Sequence, residues 1–88
     1  MANHKSSMKR ARQTIVRTER NKVVKSRVRS AVRQFRDAIA EGKLEDADTL
    51  LKAATRELRK AASKGVFHKR TASRRVSRLV QGLNAARA

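Results

Sequence analysis

VKSRVRSAVRQFRDAIAEG, residues Val24–Gly42, decides the fold class. Its apolar residues Val24, Val28, Ala31, Val32, Phe35, Ala38 and Ile39 recur in steps of four and three, the spacing of one face of an α-helix. Lys22, Lys25, Arg29, Arg33 and Arg36 form a second stripe, turned away from the first. Gly42 follows, and a glycine there can take the left-handed conformation that ends a helix. One side of this helix suits a core and another suits a polyanion.

Downstream the pattern recurs twice. A second helix is predicted over Leu44–Ser63, with Ala47, Leu50, Leu51, Ala54, Leu58, Ala61 and Ala62 on its apolar face. Glu45, Asp46 and Asp48 crowd its start, beside the positive end of the helix dipole, while Arg59, Lys60 and Lys64 sit near its negative end. Gly65 is the next stop signal. A third helix is predicted from His68 to Ala86, with Ala72, Val76, Leu79, Val80 and Leu83 inward and Arg70, Arg74 and Arg78 on the opposite face. Gly82 lies inside this pattern, as a tolerated weak point or a close-packing position. Short connections at Gly42 and Gly65 imply antiparallel neighbours. The expected fold is all-α: an antiparallel three-helix bundle with a long, projecting basic first helix.

Upstream of Val24 the order changes. Ser6 or Ser7 can cap the first helix, giving it a length of about 50 Å at 1.5 Å per residue. Lys9, Arg10, Arg12 and Arg17 point all round its axis, and Met8, Ala11 and Ile15 cluster on the side opposite the later apolar stripe. A straight helix cannot bury both clusters in one small bundle. Residues 1–23 are therefore expected to project as a basic arm, frayed until phosphates neutralise it, from a bundle body at 24–88. Together they make one domain.

The charge is sorted in the same way. Residues 1–36 carry twelve Lys or Arg against Glu19 alone, 37–58 carry three against six acids, and 59–88 carry nine with no acid. The net +17 on 88 residues repels itself when compact and calls for a polyanion. Apolar residues are 39% of the chain and Phe35 and Phe67 are its aromatics, so the core must be thin. Without cysteine, neither a disulfide nor a thiolate metal site can staple it. No apolar run is long enough to span a bilayer or to resemble a signal peptide. Met1–Thr18 is acid-free and contains Arg and Ser, as transit peptides do, but the basic pattern continues far beyond it.

Enzyme chemistry has little to work with. His4 lies near the N-terminus, His68 sits at a helix start, and no glycine-rich phosphate loop is present. The helix dipole is a sufficient reason for Glu45, Asp46 and Asp48, so neither a metal nor any other cofactor is expected, nor a small-molecule substrate. Lys and Arg on helical faces neutralise phosphates and release counterions, giving salt-dependent affinity. With so few aromatics there is no platform for stacking single-stranded bases. Contacts should go to the backbone of folded or double-stranded nucleic acid, reading shape rather than base sequence.

MANHKSSMKRARQ at the N-terminus, RNKVVKSRVRSAVRQF over Arg20–Phe35 and KGVFHKRTASRRVSRL over Lys64–Leu79 resemble the family of bacterial small-subunit ribosomal protein twenty. The resemblance covers essentially the whole chain. It implies a three-helix bundle that is cytoplasmic, in the small ribosomal subunit, and binds small-subunit ribosomal RNA directly and early in assembly. The long first helix would run between RNA helices, with few or no protein contacts, no membrane and no homo-oligomer. Positions matching the family's RNA-facing segments are Lys5, Lys9, Arg10 and Arg12 in the first segment. In the second they are Arg20, Asn21, Lys25, Ser26, Arg27 and Arg29. In the third they are Lys64, His68, Lys69, Arg74, Arg75 and Arg78. The basic faces add Arg17, Lys22, Arg33 and Arg70 as RNA-binding candidates; Arg70 stands where family members often carry Asn. The alternative is a histone-like architectural protein that coats DNA without preference. A membrane-active or calmodulin-binding cationic helix is disfavoured, because three apolar stripes each need the others.

Overall fold

Two glycines set the topology. A computed structural model of the chain describes residues 2–88, with side chains from Ser6 onward. The helices are α1 (Ala2–Ala40), α2 (Leu44–Ser63) and α3 (Lys69–Arg87), and the described residues contain no strand. Gly42 and Gly65 end α1 and α2 with φ of +77° and +78°. At the first stop the Gly42 N–H donates to the Ile39 carbonyl at 3.1 Å and the Lys43 N–H to the Ala38 carbonyl at 2.9 Å. At the second, Gly65 donates to Ala62 at 3.0 Å and Val66 to Ala61 at 2.9 Å. Both are the paired bonds of a Schellman motif, which satisfies the last carbonyls and turns the chain back.

α1 starts earlier than the sequence predicts, at Ala2 rather than Ser6 or Ser7. Nothing in the first turns breaks a helix, since there is no Gly or Pro before Gly42. Within the expected arm, the Thr14 hydroxyl donates to the Arg10 carbonyl at 2.9 Å and the Thr18 hydroxyl to the Thr14 carbonyl at 2.8 Å. These bonds let threonine side chains sit on a helix without competing for its N–H groups. The predicted span of α2 matches the structure. α3 begins one residue after the predicted start, because His68 is its cap: extended, with Nδ1 accepting from the Arg70 N–H at 3.1 Å.

α2 packs against both other helices. Its inward positions are mostly alanine, and Ala47, Ala54 and Ala61 are fully buried, which lets the backbones approach closely. Phe35 of α1, Leu58 of α2 and Leu83 of α3 are the large, fully buried side chains, one from each helix. Val24, Val28 and Ala38 complete the α1 contribution, and Ala72 and Leu79 that of α3. Val80 does not join them: it is 37% exposed, because its place on α3 falls at the margin of the stripe, beside the α2 seam. Among the described residues, the core holds no polar side chain and no buried side-chain polar atom lacks a partner.

Length explains the shape. The molecule measures 66 × 21 × 14 Å. At 1.5 Å per residue, α1 is about 58 Å long and α2 about 30 Å, so nearly half of α1 has no helix beside it. Every described residue from Ser6 to Arg20 is exposed, and Val24 is the first core residue of the chain.

Candidate nucleic-acid interface

α1 and α3 flank an open groove of about 760 Å³. The core stripe of α1 has the basic stripe beside it, one-third of a turn round the helix, so burying Val28 and Phe35 brings Lys25, Arg29, Arg33 and Arg36 to the groove wall. α3 supplies Arg75 and Arg78 from the facing side. Val28, Val32, Ile39 and Phe67 are among its apolar lining. The Arg75 guanidinium stacks over the Phe67 ring at 4.7 Å, which fixes a cation in the groove without spending its charge on a carboxylate.

Among the described residues these cations have no ion-paired acid. Among the described residues the ion pairs are Lys43–Glu41 at 3.2 Å and Arg87–Asp48 at 3.5 Å, both away from this groove. Asp37 lies at its wall but makes no ion pair with the arginines around it. Such a surface is poised to exchange water and counterions for phosphates. His68 does not line the groove, and its Nδ1 is engaged in capping.

The predicted site residues divide into groups. Lys25, Arg29, Arg33, Arg75 and Arg78 meet in the groove. Arg78 thus departs from the expected common face with Arg70 and Arg74, which are exposed outside it, because i and i+8 differ by 80° on a 3.6-residue helix. Lys9, Arg10, Arg12, Arg17, Arg20 and Lys22 are exposed along the projecting part of α1, with Asn21 half-buried where it meets the body. Ser26 and Arg27 are exposed on α1 outside the groove, and Lys64 caps the C-terminus of α2. Lys69 lies on the other flank of α3. The side chains of Lys5 and His4 fall outside the described residues. Arg36 belongs to the groove although it was missing from the predicted site; its place in the basic stripe was the available signal. Gly82 borders the groove with open space around its Cα, so it is no close-packing position.

Glu45 and Asp46 occupy the first turn of α2 as expected, while Asp48 pairs with Arg87 at the far end of α3. Among the described residues no three His, Cys, Asp or Glu side chains come together as a metal site, and no helix is long and apolar enough to cross a membrane.

A family model described as ribosomal protein S20 matches residues 2–84. The chain is similar to the small ribosomal subunit protein bS20 of Sulfurimonas denitrificans, at 48% identity over 85 residues, covering 97% of this chain and 99% of that one. It is 49% identical over 86 residues to the protein of that name from Desulfosudis oleivorans, covering 98% of each chain. With that of Syntrophotalea carbinolica the identity is 52% over 84 residues, covering 96% and 97%.

Proposed function

The chain belongs to the ribosomal protein S20 family, and from that premise we propose that it is a cytoplasmic, structural, non-enzymatic constituent of the small ribosomal subunit. It binds small-subunit ribosomal RNA directly and braces RNA helices during assembly. The observation that carries this reading is the α1–α3 groove, where cations from two helices converge with no ion-paired acid. One stretch of RNA backbone lies in that groove, contacted by Lys25, Arg29, Arg33, Arg36, Arg75 and Arg78. Residues 1–23 form a basic arm that reaches past the body at 24–88 to a neighbouring RNA helix, through Lys5, Lys9, Arg10, Arg12, Arg17, Arg20 and Lys22. Asn21, Ser26 and Arg27 continue that line, and Lys64, His68, Lys69, Arg70 and Arg74 present the start of α3 to RNA.

The mechanism is electrostatic. Two RNA helices brought together repel through their phosphates; a rigid basic rod between them lowers that repulsion and releases condensed counterions. Recognition is of shape, because helical Lys and Arg faces with few aromatics meet backbone rather than unstacked bases. The RNA supplies what the folded chain lacks, a set of anions for cations with no internal partner. Contacts with other proteins, and self-association, are not required.

The test is binding to small-subunit ribosomal RNA at physiological salt, with excess transfer RNA and duplex DNA as competitors. The expected result is saturable binding that protects defined RNA segments and resists both competitors. Equal competition by all three would reduce the protein to a non-specific polycation of the DNA-coating kind.

A further inference from the structure

α3 has a second groove on its other flank, against α2. It consists of two adjoining hollows of about 730 and 370 Å³, which share Arg59 and Val76. Along it stand Lys52, Arg56, Arg59 and Lys60 of α2, all exposed, with Lys69 of α3 at the far end. The one acid on its wall is Asp48, and that carboxylate is already held by Arg87 at 3.5 Å. Among the described residues the four α2 cations make no ion pair.

This arrangement is not anticipated by the charge count along the sequence, in which residues 37–58 are net acidic. The acids of α2 gather near its start, at Glu45, Asp46 and Asp48, whereas from residue 52 onward it carries Lys52, Arg56, Arg59 and Lys60 against Glu57 alone. Glu57 lies outside the groove. A surface that serves only solubility intersperses both signs; here one sign runs along a concave strip with its single acid neutralised. The floor is apolar, with Leu51, Ala62, Ala72, Val76 and the part-exposed Val80, but five cations stand along it, which an apolar protein helix would leave without anions. Concave, cationic and without an aromatic side chain, the strip has the chemistry of a seat for a nucleic-acid backbone.

We infer that the α2–α3 groove is a second RNA-backbone site, so that α3 is clasped between two RNA segments, one in each flanking groove. The inference rests on the ribosomal RNA reading above. It adds Lys52, Arg56, Arg59 and Lys60 to the binding surface, and it makes the body, not the arm alone, a two-sided brace.

The experiment compares three proteins on small-subunit ribosomal RNA, by backbone footprinting and by the dependence of affinity on salt. They are the unaltered chain, a variant with Lys52→Gln, Arg56→Gln, Arg59→Gln and Lys60→Gln, and one with Lys25→Gln, Arg29→Gln, Arg33→Gln and Arg78→Gln. Each four-fold variant is expected to lose a different protected segment and keep the other. The α2 variant should lower the slope of log affinity against log salt by about 3, roughly 0.9 per phosphate contact at the upper limit. Thermal melting checks that it folds; the milder pair Arg56→Gln and Lys60→Gln should give about half the slope change. An α2 variant with unchanged footprint and slope, on RNA that the unaltered chain binds specifically, overturns the inference and leaves the groove to an acidic protein partner. If the unaltered chain protects no defined segment, the ribosomal RNA reading itself falls, and the inference with it.

Discussion

Three glycines occupy this chain, and their backbones make them respond to one substitution in opposite directions. Gly42 and Gly65 have φ near +77°, and a Cβ at either would meet nothing within 4 Å, so the penalty of Gly→Ala there is backbone strain alone. That strain is about 1 kcal/mol at a left-handed position. Gly82 lies within α3 with ordinary helical backbone, and a Cβ there also meets open space. Alanine at that position should stabilise by about 0.5–1 kcal/mol, because it restricts the unfolded chain without crowding the folded one. For a domain of this size each change corresponds to roughly 4–8 °C per kcal/mol in the melting midpoint. Thermal denaturation of the three single variants is therefore expected to lower the midpoint for Gly42→Ala and Gly65→Ala and raise it for Gly82→Ala. A lowered midpoint for Gly82→Ala would mean that this residue is needed for a closer approach of α1 and α3.

At the scale of the helix, α1 is two objects on one axis. From Val24 to Ala40 it shares the core; from Ser6 to Arg20 every side chain is exposed, including Ile15 at 61% and Val16 at 66%. Removing residues 1–17 should reduce the helical circular dichroism in proportion to length and leave the melting midpoint within a few degrees. The same truncation removes Lys5, Lys9, Arg10, Arg12 and Arg17, and should lower the salt slope of RNA binding by about 4. Collapse of the cooperative transition would show that the arm is structural. The first buried residue, Val24, falls where the apolar stripe of the sequence changes direction, and the helix ends were legible because both stops are glycines. What the sequence hid is angular and long-range. Val80 lies at the edge of its stripe, where a small rotation of α3 decides burial, and Arg78 joins Arg75 because the position of α1 favours that flank. The α2–α3 strip was masked by counting charge over 37–58, which sets Lys52 and Arg56 against the acids of the α2 start and leaves Arg59 and Lys60 to the next segment.

At the scale of the molecule, the electrostatic field opposes the fold it surrounds. The body is thin, 21 by 14 Å in cross-section, and its core contains no charge to repay the repulsion among the surface cations. Among the described residues the two ion pairs use Lys43 and Arg87, and each is half-exposed or more, so they add little. At 0.01 M salt the screening length is about 30 Å, longer than the body is thick, and cations on opposite sides repel one another through it. At 0.1 M it shrinks to about 10 Å and most of that repulsion disappears. The free protein should therefore melt several degrees higher at 0.3 M monovalent salt than at 0.01 M, whereas its affinity for RNA should fall over the same range. Both are measured on one preparation, by thermal denaturation without RNA and by titration with it. A melting midpoint that falls with salt would mean that internal ion pairs dominate over repulsion, and that the groove cations are not free to be neutralised by phosphate. A rising midpoint with a falling affinity identifies one cause for both trends: the same uncompensated cations that strain the isolated bundle are the ones RNA binding relieves.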